Sequence, residues 1–208
     1  MIAIIDYGVG NLFSLVSSFA AIGAEAKATG DPAQLLAADR LILPGVGAFE
    51  DAARALRETG LGEVVTEAAG RGTPLLGICL GMQLLFDVSY EYGEHPGLGL
   101  VPGQVRAIAE TIPAGLKIPH IGWNALHFTG APCPIFRELR EGDFVYFVHS
   151  YAAVGCEGHT AAVTDYGAPL TAAVWNGNVY GCQFHPEKSG RVGLGILRAF
   201  CETEVGAC

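Results

Sequence analysis

The chain has 208 residues, of which 50% are hydrophobic and 16% charged, and its 12 basic and 21 acidic side chains leave a net charge of −9. A chain this apolar can bury enough surface to fold, which argues against intrinsic disorder, and it has no Lys/Arg cluster of the kind that binds nucleic acid. The first basic residue is Lys27, and no apolar run approaches the roughly 18 residues of a membrane helix, so we expect no signal peptide, no membrane segment and a cytoplasmic protein.

The first half of the chain alternates short apolar runs with helical segments. The runs at 1–6, 40–43 and 74–78 have the length of buried strands. Helices are predicted from 11 to 22 with Asn11 as cap, from Asp31-Pro32 onward, from 48 to 70 with a break at 60–62, and from 80 to 87. This alternation predicts a mostly parallel sheet covered by helices on both faces.

The second half is richer in strands with short, turn-rich connections. Strands are predicted at 103–108, 124–128, 144–151, 160–164 and 170–184, the last folded into a hairpin around Asn176-Gly177. Ser189 is expected to cap a terminal helix that runs to about residue 200. We see no repeat or linker, and therefore predict one α/β domain over 1–208, with a mixed, mostly parallel central sheet, flanking helices and added antiparallel strands.

The strongest local signal for chemistry is the segment GICLG around Cys79. It follows a predicted strand and precedes a predicted helix, which is the setting of a nucleophile elbow with cysteine in place of serine. The start of that helix would favour the thiolate, and the Leu80 N–H would point toward a developing oxyanion. The alternative is a buried structural cysteine.

The six cysteines are spread along the chain without a CxxC pair: Cys79, Cys133, Cys156, Cys182, Cys201 and Cys208. This spacing favours a reducing compartment in which most of them fill the core.

A cysteine nucleophile needs a base, and the base needs an orienting acid. His185 is followed two residues later by Glu187, so in an extended segment both side chains project to the same side. A capped strand end with a surface glutamate is the alternative. The His-x-Glu pair is also typical of zinc deaminases, but Pro132-Cys133 lacks the second cysteine that such a site requires, so we expect no metal.

Two glycine-rich turns follow strands, at 8–10 and 44–47. Neither has the full dinucleotide fingerprint, and no Gly-Lys-Ser/Thr occurs. The second turn is better explained as a group of backbone N–H donors beside Cys79. An ordinary strand–helix turn remains the alternative for both.

Several segments match a known family. GICLGMQLLF at 77–86 and His185-Pro186-Glu187 resemble the triad, or class I, glutamine amidotransferases. Five more segments narrow the resemblance to the glutaminase subunits of imidazole glycerol phosphate synthase, an enzyme of histidine biosynthesis: DYGVGNL at 6–12, LPGVGAF at 43–49, KIPHIGWN at 117–124, YFVHSY at 146–151 and QFHPEKS at 183–189. The resemblance runs from residue 3 to about residue 200 and implies the class I glutamine amidotransferase fold.

The resemblance implies that Cys79 attacks the side-chain amide of glutamine. His185 then protonates the leaving ammonia and activates water to hydrolyse the glutamyl thioester, while Glu187 orients His185. The oxyanion hole would combine the Leu80 N–H with a backbone N–H of the 44–47 turn, at Val46 or Gly47. A peptide flip near Val46 would present that donor, and flanking glycines make such a flip inexpensive.

The resemblance also implies two sets of binding residues. Glutamine would be held by Gln83 and the backbone of His149, Ser150 and Tyr151. Residues at or near the interface with a (β/α)₈ cyclase subunit, which forms a heterodimer with the glutaminase and uses its ammonia, would be Asn11, Trp123 and Lys188. No cofactor is expected.

Two alternatives remain for the function. The same triad could serve another acceptor, as in pyridoxal phosphate, carbamoyl phosphate, anthranilate or nucleotide synthesis, or hydrolyse γ-glutamyl peptides. The HIGWN and DYGVGN segments argue against these acceptors. The chain could also be a regulatory subunit without turnover, but no catalytic position is substituted.

Overall fold

A computed structural model describes residues 1–130 and 132–204. Within these ranges the strands are β1 (Ile2–Ile5), β2 (Ala26–Thr29), β3 (Arg40–Leu43), β4 (Leu75–Ile78), β5 (Phe86–Ser89), β6 (His95–Pro96), β7 (Val101–Ala107), β8 (His120–Ala125), β9 (His127–Phe128), β10 (Phe144–His149), β11 (Tyr151–Val154), β12 (Thr160–Asp165), β13 (Pro169–Asn176) and β14 (Val179–Cys182). The α-helices are α1 (Leu12–Ala21), α2 (Pro32–Leu36), α3 (Phe49–Glu58), α4 (Leu61–Gly70), α5 (Leu80–Gln83) and α6 (Gly190–Cys201). Short 3₁₀ segments lie at Ile108–Glu110, Pro134–Phe136, Glu157–His159 and Pro186–Lys188.

The central sheet has the strand order β2-β1-β3-β4-β14-β13-β12-β9. The strands from β2 to β14 pair in parallel, and those from β14 to β9 pair antiparallel. Two smaller sheets add the antiparallel pair β10-β8 and the order β11-β7-β5-β6. The α/β class with a mixed sheet and added antiparallel strands is confirmed.

Apolar side chains cover both faces of the central sheet. Along β1, Ala3 and Ile5 belong to one buried cluster, whereas Ile2 and Ile4 belong to the other. Because successive side chains of a strand point to opposite faces, a continuous apolar run is what a doubly covered strand requires. Helix α3 covers one face through Phe49, Ala52, Ala53 and Leu56, at helical spacing.

The sheet topology gathers the predicted site at one edge. Strands β3, β4 and β14 run parallel and adjacent, so their carboxyl ends meet. The 44–47 turn follows β3, Cys79 follows β4, and His185 lies three residues beyond β14. Ligands of open α/β sheets bind at such an edge.

Most predicted elements in the first half are present, with their caps. The Asn11 side chain accepts a hydrogen bond from the Ser14 N–H at 3.3 Å, and the Asp31 side chain accepts one from the Ala33 N–H at 3.0 Å. Gly60, in the left-handed region at φ 71°, separates α3 from α4 as expected. Strand β2 was not predicted, because its sequence AKAT carries little apolar signal.

The helix predicted over 80–87 is wrong beyond its first turn. Helix α5 ends at Gln83, and Phe86–Ser89 forms β5, which pairs with β7. The run LLFD is apolar enough for a helix, but strand pairing and burial decided its conformation.

Three further predictions differ from the structure. The strand predicted over 144–151 is two strands, β10 and β11, that belong to different sheets, and the one over 124–128 is divided at Leu126 between β8 and β9. Ser189 stands at the N-cap position of α6 without a side-chain cap bond. Its hydroxyl instead donates to the His185 carbonyl at 2.6 Å and accepts from the Tyr146 N–H at 3.0 Å.

Four cysteines are free and buried: Cys79, Cys133, Cys156 and Cys182. Cys201 is half-buried and free, and Cys208 lies outside the described residues. Apart from Cys79, the buried thiols belong to the core clusters, as expected of core fillers. No helix in the described part of the chain is both long enough and apolar enough to cross a membrane.

Candidate active site

Cys79 lies on a sharp turn between β4 and α5, with φ 56° and its side chain buried. A non-glycine residue in this region is strained by an amount on the order of 1–3 kcal/mol. The flanking glycines are needed for space: a Cβ on Gly77 would lie 2.7 Å from the Gly81 carbonyl oxygen, and one on Gly81 would lie 1.9 Å from the Leu43 carbonyl oxygen. This is the elbow geometry predicted from GICLG.

His185 is held between Cys79 and Glu187. Its Nδ1 lies 2.7 Å from Glu187 Oε1, and the two side chains are 4% and 3% exposed. His185 and Cys79 line the same cavity and are close enough for Cys79 to influence the pKa of His185. Burial lowers the pKa of His185, but the hydrogen bonds to Cys79 and Glu187 and their negative charges outweigh it and raise the pKa to about 9.

The backbone around His185 is fixed from two sides. The His185 N–H donates to the Tyr146 carbonyl at 3.0 Å, and its own carbonyl accepts the Ser189 hydroxyl. The structure therefore brings the three predicted catalytic residues together, with Cys79 on the elbow turn, His185 at the N-cap of a 3₁₀ turn and Glu187 within that turn. A general base that is itself oriented by a carboxylate can activate a thiol for attack on a carbonyl carbon.

The 44–47 turn lies directly against the elbow. A Cβ on Gly45 would fall 2.6 Å from the Gly81 N and 2.8 Å from the Leu80 Cβ. The Tyr7 hydroxyl donates to the Pro44 carbonyl at 2.7 Å, and burial, with a contribution from Cys79, raises the pKa of that hydroxyl. Val46 is 45% exposed and Gly47 has φ 91°, so the far half of the turn is the less constrained half.

An open cavity of about 380 Å³ leads down to Cys79. Its walls include every residue predicted for the oxyanion hole and for substrate binding: Val46, Gly47, Leu80, Gln83, His149, Ser150 and Tyr151. Gln83 donates through Nε2 to the Tyr151 carbonyl at 3.2 Å and to Gln183 Oε1 at 3.0 Å. A cavity of this size accommodates an amino acid.

Two polar residues of this site were not predicted. Glu91 lines the cavity, its Oε2 accepts the Phe49 N–H at 2.8 Å, and burial raises its pKa. Gln183 is fully buried, and its Nε2 lies 3.9 Å from Cys79 Sγ. Gln183 could have been found from its place in QFHPEKS, whereas no local pattern distinguishes Glu91 from other loop carboxylates.

The three predicted interface residues are on the surface. Trp123 is 54% exposed, and its ring meets that of Tyr146 edge-on at 6.1 Å between centroids. The Lys188 Nζ lies 5.9 Å from the centroid of the same Tyr146 ring, and Lys188 also borders the cavity. Asn11 lies at the start of α1, a helix that contacts the Pro186–Lys188 segment.

Among the residues described, no three His, Cys, Asp or Glu side chains are grouped to hold a metal ion. The expectation that the protein uses no metal stays a prediction.

Residues 3–202 match the family model of class I glutamine amidotransferases. The imidazole glycerol phosphate synthase subunit HisH of Streptococcus sanguinis is 48% identical over 202 residues, which cover 97% of this chain and 96% of that protein. The subunit of the same name from Gloeobacter violaceus is 48% identical over 97% of this chain and 88% of its own length.

Solved structures show the same fold at lower identity. A glutamine amidotransferase crystal structure superposes with a TM-score of 0.75 at 22% identity, covering 97% of both chains. The structure of PurLQS from Thermotoga maritima gives 0.76 at 22% identity, covering 96% of both chains. The chain belongs to the class I glutamine amidotransferase family and, within it, to the HisH subunits of imidazole glycerol phosphate synthase.

Proposed function

We propose that this chain hydrolyses glutamine to glutamate and ammonia and delivers the ammonia to a cyclase subunit, which forms imidazole glycerol phosphate and AICAR in histidine biosynthesis. The observation that carries the proposal is the buried Cys79–His185–Glu187 arrangement at the base of an amino-acid-sized cavity. The near full-length identity to HisH subunits supports the pathway. On the same grounds the protein is cytoplasmic and works without cofactor or metal.

The mechanism follows from the positions of the three side chains. Cys79 Sγ attacks the amide carbon of glutamine, and the imidazolium of His185 gives its proton to the departing ammonia. The same ring, now neutral, takes a proton from water as that water attacks the glutamyl thioester. Glu187, bonded to Nδ1, keeps Nε2 directed at the reacting atoms and stabilises the charged ring.

The developing oxyanion needs donors on the side of the 44–47 turn. The Leu80 N–H is one, at the start of α5. The second comes from the turn, where Val46 stands between two glycines and a rotated peptide would direct an N–H of Val46 or Gly47 into the cavity. Losing one such donor costs about 10² to 10³ in rate. Rotation of this peptide, which presents the second donor, would therefore change glutamine hydrolysis from slow to fast.

Alanine at Gly45 tests the contact between this turn and the elbow. Since its Cβ would fall 2.6 Å from the Gly81 N, the turn has to move away, and we expect kcat for glutamine to fall about 10²-fold. The control is Gly70→Ala, where an added Cβ meets no atom within 4 Å. Steady-state kinetics give kcat, and a melting curve shows whether the variant is folded. An unchanged kcat in folded Gly45→Ala would contradict a role of this turn in catalysis.

The cavity offers complementary groups for glutamine. The Gln83 side chain and the 149–151 backbone line one wall, where they can bind the carboxylate and amide ends of the substrate. Glu91 supplies the carboxylate that an α-ammonium group requires. Its contact with the Phe49 N–H places it beside the end of the oxyanion turn.

Removing the charge of Glu91 should weaken glutamine binding. In Glu91→Gln the amide oxygen can still accept the Phe49 N–H, so the fold is kept while the ionic contact is lost. A charge-assisted hydrogen bond contributes about 1.5–3 kcal/mol, so KM for glutamine should rise about 10- to 100-fold with little change in kcat. Glu94→Gln, at an exposed neighbouring position, is the matched control. Equal KM values for Glu91→Gln and wild type would show that Glu91 does not bind the substrate.

The partner is proposed to dock on the exposed face of the β8–β10 pair. Ile121, Trp123 and Phe144 are 58%, 54% and 56% exposed there, which is unusual for large apolar side chains gathered on one face. Lys188 lies beside Tyr146 of this face and also borders the cavity. Helix α1, which Asn11 caps, contacts the Pro186–Lys188 segment, so Asn11 is proposed to belong to the same interface. A cyclase seated here would lie next to the site of ammonia release.

A glutamine-mimicking electrophile tests the glutaminase chemistry. We expect an α-amino-acid diazoketone to alkylate Cys79, identified by peptide mass spectrometry, and glutamine to slow that alkylation. Cys133, Cys156 and Cys182 are buried and do not line the cavity, so they serve as internal controls. Labelling of Cys79 that glutamine does not slow would contradict the proposal.

A further inference from the structure

Two buried histidines outside the triad form a hydrogen-bonded pair. His120 and His149 are 3% and 6% exposed and face each other across the β8–β10 pair. His120 Nδ1 lies 3.0 Å from His149 Nε2, and His149 Nδ1 lies 2.8 Å from the Tyr151 carbonyl oxygen. The mechanism above uses neither ring.

The partners fix the tautomer of both rings. A carbonyl oxygen only accepts, so His149 Nδ1 carries a proton, and a neutral His149 must accept at Nε2. His120 Nδ1 therefore donates to His149, and His120 Nε2 accepts from the Asn124 side-chain amide at 3.4 Å. That amide nitrogen also donates to the Asp165 carbonyl at 2.7 Å, so the direction of the chain is set from Asn124 to Tyr151.

The surroundings keep both rings neutral and immobile. The His120 ring stacks between Phe147, at 4.9 Å, and Tyr166, at 4.2 Å between centroids. Burial lowers the pKa of His120, and burial with the charges of His120 and His185 lowers the pKa of His149 to about 4. At neutral pH the pair is a chain of directed hydrogen bonds without charge.

The chain joins two parts of the molecule that the proposed function uses. Its inner end is the Tyr151 carbonyl, which also accepts the Gln83 amide in the wall of the cavity. Its outer end is β8, where Ile121 and Trp123 alternate with His120 and Asn124 and point to the exposed face. Each hydrogen bond in this chain has a fixed donor and a fixed acceptor. A displacement of β8 would therefore shift His120, His149 and the Tyr151 carbonyl in the cavity wall together.

We propose that His120 is a positioning residue for glutamine binding, which through His149 fixes the Tyr151 carbonyl and Gln83 in the geometry set by β8. The inference rests on the proposed function and deepens it, since it names what ties the docking face to the substrate cavity. His120 touches neither substrate nor nucleophile in this role.

Two variants of His120 separate hydrogen bonding from packing. His120→Phe keeps a ring between Phe147 and Tyr166 but removes the donor to His149. His120→Asn loses the ring but places an amide N–H near the position of Nδ1. Each is assayed for glutamine hydrolysis in complex with the cyclase, after its melting temperature and complex formation have been compared with wild type.

We expect His120→Phe to raise KM for glutamine about tenfold with kcat within a few fold of wild type, because a buried acceptor is left unpaired. His120→Asn should restore KM toward the wild-type value. The reverse order, with the Phe variant near wild type and the Asn variant impaired, would mean that His120 only packs and would overturn the inference. Alkylation of Cys79 by iodoacetamide should be equal in all three proteins, which shows that the nucleophile is intact.

Glutamine hydrolysis by the wild-type complex distinguishes a failure of the proposed function from a failure of this inference alone. If it does not hydrolyse glutamine, the proposed function fails and this inference fails with it. If it turns over normally and KM is the same in both His120 variants, the inference alone is overturned.

Discussion

Cys79→Ala is expected to abolish glutamine-dependent synthesis by the complex with the cyclase while leaving synthesis from added ammonia intact. In the proposed mechanism the thiol supplies the covalent step, and no other described thiol lines the cavity. Alanine fits the elbow as well as cysteine, since both carry a Cβ at the same positive φ. The expected loss of glutaminase activity is at least about 10⁴-fold, in line with removal of a triad nucleophile.

Ammonia-dependent synthesis is the control within the same protein. Because the cyclase uses ammonia that arrives from solution at high concentration, the variant should match wild type in that assay. If both activities fell together, the substitution would have damaged assembly, and the nucleophilic role of Cys79 would be unsupported. Measurable glutamine turnover by the alanine variant would contradict it directly.

His185→Asn is expected to lower kcat for glutamine about 10²- to 10⁴-fold, the range for a general acid–base residue. The asparagine amide can still donate to Glu187 Oε1 from near the position of Nδ1, so the buried carboxylate keeps its partner. What is lost is Nε2, the atom that exchanges protons with ammonia and water in the proposed mechanism. Glu187→Gln should cost less, because the ring remains.

The pH dependence tests the same residue. With its pKa raised from the ordinary 6.5 to about 9, His185 carries the proton for the leaving ammonia throughout the neutral range and loses it as pH rises through about 9. We therefore expect kcat/KM to fall above pH 9. The stabilisation that His185 adds to the fold is likewise complete below pH 6.5 and lost between pH 6.5 and about 9. A flat kcat/KM profile to pH 10 would contradict the assignment.

The predictable parts of the site are those specified by local sequence. Glycine is required on both sides of Cys79, because a Cβ on Gly77 would clash with Gly81 and a Cβ on Gly81 would clash with Leu43. The GICLG segment therefore predicts the elbow turn. The contact between His185 and Glu187 was predicted for an extended segment, whereas Glu187 lies in the 3₁₀ turn Pro186–Lys188 that follows His185. The predicted contact is present, but the backbone conformation that makes it was predicted wrongly. Strands β1, β3 and β4 of the parallel half were predictable because they are short, mostly apolar runs that are buried in the sheet.

The missed parts depend on contacts between distant segments. Glu91 reaches the cavity because β5 pairs with β7, and that strand was mistaken for the continuation of α5. Strand β2 is defined by its pairing with β1 rather than by its own composition. The role proposed for His120 depends on its register with His149, 29 residues away, which no single-sequence pattern indicates.

Glutamate release from glutamine, measured for this chain alone and for the chain mixed with the cyclase and its phosphorylated substrate, distinguishes a glutaminase that is switched on by its partner from one that works independently. We expect slow release by the chain alone and stimulation of about 10² or more in the mixture, since in the proposed mechanism the second oxyanion donor becomes available only when the 44–47 turn is rearranged. Equal turnover with and without the cyclase would keep the glutaminase chemistry but contradict both the partner and the switched oxyanion turn.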